Sequence, residues 1–210
     1  MAYDLEEQEQ IAQLKGWWKD NGGTVVAVIA AAAIAAAGWQ GWRSWQAGQA
    51  QQAAAHYDAL VRAVQGGDAK AMRDAGGTLV ESFPRTLYAS MGALAAARFH
   101  FEHGDLKNAR AQLQWVVERS PSDELRDLAR LRLAGVMLDE KAFDEALALL
   151  DAKHAAAMAA QYAALKGDIL LAKNQSAEAK AAYKLALEKS EQRDGAFRAS
   201  VQLRLDALGG

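Results

Sequence analysis

The sequence predicts an all-α chain: a single N-terminal transmembrane helix followed by an α-solenoid of about four helical hairpins and a C-terminal capping helix. Three observations lead there. The 210 residues hold two prolines, abundant alanine and only 8 % aromatic residues, a composition that suits helices and leaves little material for a sheet. No charged residue falls between Asp20 and Arg43. Further along the chain, short motifs return at intervals of 33 to 37 residues.

Composition also sets limits on function. A formal net charge of -2 and a pI near 6.1 give no basic footprint for nucleic acid. The charges are mixed along the chain, as on solvated helix faces. With no cysteine there is neither a disulfide framework nor a Cys-ligated metal site. Setting aside roughly the first 45 residues leaves about 165, enough for one domain with its own core. The expected division is an acidic N-terminal tail at 1–21, a transmembrane anchor at 22–45 and a tetratricopeptide-like repeat domain at 46–210.

The anchor rests on length and on tryptophan placement. Thr24 to Trp42 reads TVVAVIAAAAIAAAGWQGW, long enough as a helix to cross a hydrocarbon core of about 30 Å. Trp17 and Trp18 stand on one side of it, and Trp39, Trp42 and Trp45 on the other. Helical rise puts Trp18 and Trp39 about 31 Å apart, which sets both groups at the headgroup level of a lipid bilayer. A buried helix of a soluble protein is the plainer reading, but core helices rarely carry tryptophan at both ends. Ala35-Ala36-Ala37 resembles a signal-peptide cleavage site. The preceding tail, however, carries Asp4, Glu6, Glu7, Glu9 and Asp20 against Lys15 and Lys19, where a signal peptide needs net positive charge. Asp4 and Glu7 form a candidate capping box for a helix in that tail, with Leu5, Ile11, Leu14 and Trp18 at helical spacing. An uncleaved anchor is favoured.

Lys15 and Lys19 before the span, against Arg43 after it and then none until Arg62, orient the N-terminus to the cytoplasm. Ala33, Ala37 and Gly41 recur every four residues. Such a small-residue face either admits a second membrane helix at close range or is a neutral alanine-rich spacer.

Gly67-Asp68 and Gly104-Asp105 lie thirty-seven residues apart, as do Phe83-Pro84 and Ser120-Pro121. Ala109 is followed at the same offset by Ala146 in Phe143-Asp-Glu-Ala, then thirty-three later by Ala179 in Ser176-Ala-Glu-Ala. A period near 34 with a small residue early in the second helix is the tetratricopeptide pattern. In register, the units run 53–86, 90–123, 127–159 and 160–193. The first is degenerate, with Met72 at the small position. Phe197, Val201, Leu205 and Leu208 mark Ala196–Leu208 as the capping helix. Phe99, Phe101, Leu106, Leu113 and Val116 are expected to fill the second unit, Leu128, Leu131, Leu133, Met137, Phe143, Leu147 and Leu150 the third, and Leu165, Ile169, Leu170, Tyr183 and Leu187 the fourth.

No catalytic pattern emerges: the chain lacks a Walker loop, a G-x-S-x-G elbow and H-E-x-x-H. The reading is an interaction module, not an enzyme, with no cofactor and no metal. His100, Glu102 and His103 are the one cluster with ligand chemistry, yet they fall in a last helical turn, where the dipole favours histidine. His56 and His154 stand alone. The glycine pairs at 22–23, 66–67, 76–77 and 209–210 read as helix punctuation.

In a tetratricopeptide stack the first helix of each unit lines the concave side, at the second, fifth, ninth and twelfth positions. That register nominates Tyr57, Val61 and Val64, then Met91, Leu94, Arg98 and Phe101, then Leu128, Leu131 and Leu138 as a partner groove for an apolar segment. Some of these positions, Leu128 and Leu131 above all, serve equally well as packing between units.

The order of features is distinctive. WWKDNG at Trp17–Gly22 precedes an Ala/Val span closed by GWQGWRSW at Gly38–Trp45, and degenerate repeats follow with RAQLQ at Arg110–Gln114 and LRLA at Leu131–Ala134. Over nearly its whole length the chain resembles the YfgM family, the ancillary subunit of the SecYEG translocon. The resemblance implies an inner-membrane protein with a periplasmic repeat domain. It further implies partnership with SecYEG and with a PpiD-type membrane-anchored periplasmic chaperone, and hand-over of exported polypeptides towards periplasmic chaperones. The competing reading is a secreted periplasmic scaffold for envelope assembly, released by cleavage of the anchor.

Overall fold

The computed structural model describes residues 3–191 and 194–209, with side chains described from residue 9 onward. All regular structure among these is helical: nine α-helices and one 3-10 turn. The chain divides into two compact units, one ending at Gly48 and one running Gln49–Gly210. Helix α1 (Tyr3–Gln65) contributes residues to both.

In the first unit almost every side chain faces outward. Val26, Val28, Ile29 and Ile34 are exposed, as are Trp17, Trp18, Trp39, Trp42 and Trp45. The helix reaches a mean hydropathy of 1.8 over a window only 6 % buried, so it is long and apolar enough to cross a membrane. The tail and the apolar stretch are one helix, not a tail joined to a span. Gly22-Gly23 does not punctuate it: the Trp18 indole lies over Gly22, within 3.1 Å of where a Cβ would sit, and Asn21 donates its Nδ2 proton to the Trp17 carbonyl at 3.1 Å. The Asp4–Glu7 capping box lies outside the described side chains.

The second unit is four hairpins and a cap. The first pairs residues 49–65 of α1 with α2 (Ala69–Ser82), the second α3 (Leu87–Glu102) with α4 (Leu106–Arg119). The third pairs α5 (Asp123–Asp139) with α6 (Phe143–Leu150), the fourth α7 (Ala159–Ala172) with α8 (Ser176–Lys189), and α9 (Gly195–Ala207) closes the stack. Helices α3, α5 and α7 begin before the periodicity-based unit starts, because Thr86 and Ser122 cap α3 and α5: their hydroxyls accept from Ala89 N and Leu125 N at 3.2 Å.

All four hairpins turn the same way. Gly67, Gly104, Lys141 and Asn174 occupy the left-handed region, with φ between 62° and 75°. Each time, the next residue donates its N–H to a carbonyl five residues back, from Asp68 to Ala63, Asp105 to His100, Ala142 to Met137 and Gln175 to Leu170, at 2.8–2.9 Å. This is the Schellman closure, which needs a positive φ. The Gly-Asp repeats have a physical role here: glycine adopts the left-handed turn without strain, and the following aspartate caps the next helix, as Asp68 does for Lys70 N and Ala71 N. Units 3 and 4 close the same turn with Lys141 and Asn174 and lack a side-chain cap.

The small positions of the second helices are sealed. Ala109, Ala146 and Ala179 are fully buried, and Met72, the degenerate one, is buried too. Gly76-Gly77 lies inside α2 and does not end it; a Cβ at Gly76 would sit 3.3 Å from the Leu60 side chain. Two further close approaches are in the first helices, where a Cβ at Gly92 would meet Leu79 at 2.6 Å and one at Gly167 the Tyr183 ring at 2.5 Å. Burial forms three clusters: one around Leu60, Met72, Leu79 and Phe99, a central one around Leu94, Leu113, Leu133 and Ile169, and one joining α7, α8 and α9 through Tyr183, Val201 and Leu205.

Unit 3 departs from the period. Helix α6 stops at Leu150, and a loop with a 3-10 turn (Ala156–Met158) carries the chain to α7. Buried Asp127 holds that loop, accepting from Ala155 N at 2.8 Å and pairing with Arg130 at 2.6 Å. Tyr162 donates to the Asp127 carbonyl at 2.7 Å, and burial, with Asp127 second, pushes its pKa up to about 12. The His154 ring stacks on Tyr162 at 4.0 Å between ring centres.

Candidate functional site

The first helices of units 2 and 3, α3 and α5, touch each other and leave a cleft of about 560 Å³. Ala97, Leu113 and Val136 form its floor, with Phe101 and Leu138 on its walls. Phe101 is 43 % exposed, although the hydrophobic pattern counts it as core. Gly135 opens the α5 wall, since a Cβ there would meet nothing within 4 Å.

Four charges surround this apolar surface. Arg98 is paired with Glu102 at 2.7 Å, four residues along α3. Arg132 and Asp139, on α5, have no ion partner among the described residues. Desolvation lowers the pKa of Arg132 below arginine's ordinary value, and the neighbouring charge of Arg98 adds to the effect. The two guanidinium groups therefore share one end of the cleft. Glu102 and Asp139 are the last residues of α3 and α5.

Of the groove residues nominated by register, Arg98, Phe101 and Leu138 come together here. Leu94 does not. It is only 6 % exposed and packs inside the central cluster, because α4 and α5 both close over that side of α3. Leu128 and Leu131 are half-buried against the same cluster. Tyr57 and Val64 lean on the unit 1 cluster, Tyr57 beside Tyr88 at 5.8 Å between ring centres, while Val61 and Met91 are half-buried. In the first unit Ala33, Ala37 and Gly41 are exposed, with open space around Gly41.

Sequence reasoning misses Arg132, Gly135, Glu102 and Asp139 as parts of this site. Gly135 occupies the ninth position of unit 3, but a residue without a side chain gives no apolar signal. The charged residues look like any solvated helix face until α3 and α5 are set side by side. The histidine cluster turns inward to its own turn: His100 Nδ1 lies 3.1 Å from Asp105 and His103 Nδ1 2.7 Å from the Phe99 carbonyl.

Ion pairs brace the units around the cleft. Arg110 on α4 reaches Glu140 at 2.8 Å and Glu145 at 2.6 Å, and these bonds, Glu145's first, raise its pKa. Farther along, Tyr183 donates to Asp168 at 2.8 Å and Arg204 of α9 pairs with it at 3.2 Å. Burial raises the Asp168 pKa against both partners.

Residues 15–210 match a family model described as a tetratricopeptide repeat-like domain. A relative from Haemophilus influenzae named ancillary SecYEG translocon subunit is 33 % identical over 91 % of this chain and 94 % of its own length. A relative of the same name from Neisseria gonorrhoeae is 33 % identical over 99 % of this chain and 100 % of its own length. One from Escherichia coli K12, again of that name, is 28 % identical over 87 % of each. The chain belongs to the tetratricopeptide repeat-like family of ancillary SecYEG translocon subunits.

Proposed function

We propose that this protein is a membrane-anchored interaction subunit of the SecYEG translocon that passes exported polypeptides towards periplasmic chaperones. The observation that carries the reading is the extent of the likeness. In the Neisseria gonorrhoeae relative it covers 99 % of this chain, taking in the apolar helix as well as the repeats. A protein kept similar through both parts uses both: the helix to sit in the inner membrane, the repeats to bind protein. The N-terminal tail would lie in the cytoplasm and the repeat domain in the periplasm, as Lys15 and Lys19 suggest. A PpiD-type chaperone and exported chains are the proposed partners of the repeat domain, and the Ala33, Ala37, Gly41 face is the proposed contact for a membrane helix. The role is binding, not catalysis.

The test is gentle detergent extraction from the native membrane followed by identification of what co-purifies. SecYEG subunits and a PpiD-type chaperone are expected, and an intact preparation without SecYEG would overturn the reading. Orientation is checked separately. Protease outside spheroplasts should remove everything after Trp45 and spare the first twenty or so residues; a protected repeat domain would reverse the topology.

A further inference from the structure

We infer that the cleft between α3 and α5 receives an internal segment of a polypeptide in which an acidic side chain adjoins an apolar one, with Arg132 taking the carboxylate and Phe101 and Leu138 the apolar group. The inference rests on the reading that the repeat domain binds protein, and it names the chemistry of the bound segment.

Charge complementarity carries it. Arg132 stands beside a second guanidinium, Arg98, which Glu102 already occupies at 2.7 Å. No carboxylate pairs with Arg132 among the described residues. A partner's carboxylate would supply the missing counter-charge, in the planar two-pronged geometry that guanidinium favours. Next to it lies apolar surface that water covers poorly: Phe101 is 43 % exposed and Leu138 half-buried, above Val136. An aliphatic side chain placed there removes both surfaces from water. Gly135 leaves the room, because nothing stands within 4 Å of the Cβ it lacks.

The charge order fixes which part of the occupant lies where. Arg132 and Asp139 are about 10 Å apart along α5 by helical rise, and both line the cleft. A carboxylate is drawn to Arg132 and repelled from Asp139. Asp139 suits the backbone N–H groups of a chain continuing past its acid, which points to an internal Asp or Glu and not to a chain terminus. Arg132 and Asp139, the two charges lining the cleft that have no ion partner among the described residues, are the two that a bound segment would use.

The experiment uses the full chain in lipid nanodiscs and labelled peptides blocked at both ends, with Gly-Ser flanks around Glu-Leu-Leu, Gln-Leu-Leu or Glu-Ser-Ser, read by fluorescence anisotropy. The wild-type chain should bind Glu-Leu-Leu about tenfold more tightly than either control. Arg132→Gln should bind the Glu and Gln peptides equally. Gly135→Leu projects a side chain into the cleft from a position whose Cβ meets nothing within 4 Å, so it should bind none of them while melting at or above the wild-type temperature. Arg132→Gln keeps the test decisive if Gly135→Leu fails to fold. Co-purification of SecYEG with the wild-type chain is scored independently, so failure of the translocon reading and failure of this one are told apart. A Gln-Leu-Leu peptide with a free C-terminal carboxylate that matches Glu-Leu-Leu would overturn the assignment to a side chain. Equal binding of Glu-Leu-Leu and Gln-Leu-Leu by the wild-type chain, or discrimination that survives Arg132→Gln, would overturn the inference itself.

Discussion

In the repeat domain a Cβ added at Gly167 would lie 2.5 Å from the Tyr183 ring, whereas at Gly38 or Gly41 of the first unit it would meet nothing within 4 Å. The same contrast holds for large side chains. Leu60, Leu79, Val116 and Ile169 are buried in the domain, while Val28, Ile29 and Ile34 of the first unit are exposed. One part of the chain satisfies its apolar surface internally. The other leaves it outward in a single unbroken helix, which is stable only where lipid or another helix covers it. Small residues follow the same division. Gly92 and Gly167 in the domain are pressed by Leu79 and Tyr183, while Gly38 and Gly41 in the first unit stay accessible; Gly135 and Gly22 are exceptions on either side.

The strongest way to break this comparison is to place the same side chain in both settings. Gly167→Leu must displace a Tyr183 ring that is fully buried and whose hydroxyl is held by Asp168 at 2.8 Å. Overpacking of this kind costs about 3 kcal/mol, so the repeat domain should melt roughly 6–12 °C lower. A melt within a degree of wild type would mean that Gly167 is not a close-approach position.

A smaller effect is expected where the domain ends its helices. The first unit has one long helix, but the domain is interrupted at four left-handed turns, and only the first two are followed by a capping aspartate. Asp68→Ala removes the acceptor for Lys70 N and Ala71 N and should cost about 1 kcal/mol. The reverse change, Ala142→Asp, supplies a cap that α6 lacks and should raise the melting temperature by a similar amount. If neither moves the melt, packing alone sets the hairpins.

The turns also show how much could be read without coordinates. The Gly67-Asp68 and Gly104-Asp105 repeats give the period, and the sealed positions at Ala109, Ala146 and Ala179 follow from it. Lys141 and Asn174 perform the same turn without advertising it, since the backbone accepts the strain when packing fixes both helices. Gly76, Gly92 and Gly167 fall inside helical patterns, where glycine reads as a break unless its neighbour in space is known. Leu94 and Phe101 share a helix and a hydrophobic pattern, yet one is core and the other lines a cleft. Only the approach of α4 and α5 separates them, and no local signal carries that. Arg132 is invisible for the same reason: an arginine on a helix becomes a site when a second helix brings Arg98 beside it.

The acid side of the stability profile offers a third measurement. The bonds from Asn108, with His100 adding less, hold the Asp105 carboxyl below its ordinary value of 3.8. A depressed acid stabilises the folded state above its unfolded value, and that contribution is lost as pH falls through the folded one. Asp105→Asn can still cap α4 but cannot titrate, so its melting temperature should fall less steeply than the wild type's below about pH 4. Parallel acid limbs would show that Asp105 contributes only as a cap.

The smallest effect on the melt belongs to the anchor, and there it is the informative result. Ala37→Leu adds the same side chain that should damage the domain at position 167, but at an exposed site in a helix that tolerates leucine well. The repeat domain should melt unchanged. What should fall is recovery of SecYEG from gentle detergent, because Ala33, Ala37 and Gly41 present a face on which a second helix could pack only while the side chains stay small. Leucine holds a facing backbone away and leaves the lipid contacts as favourable as before. A change in the lipid-facing energy therefore does not account for lost recovery. A lower domain melt would show that the two units do not respond separately, breaking the comparison itself. An unchanged melt with unchanged recovery would leave the face as lipid-covered surface, and the translocon contact would then have to come from the repeat domain.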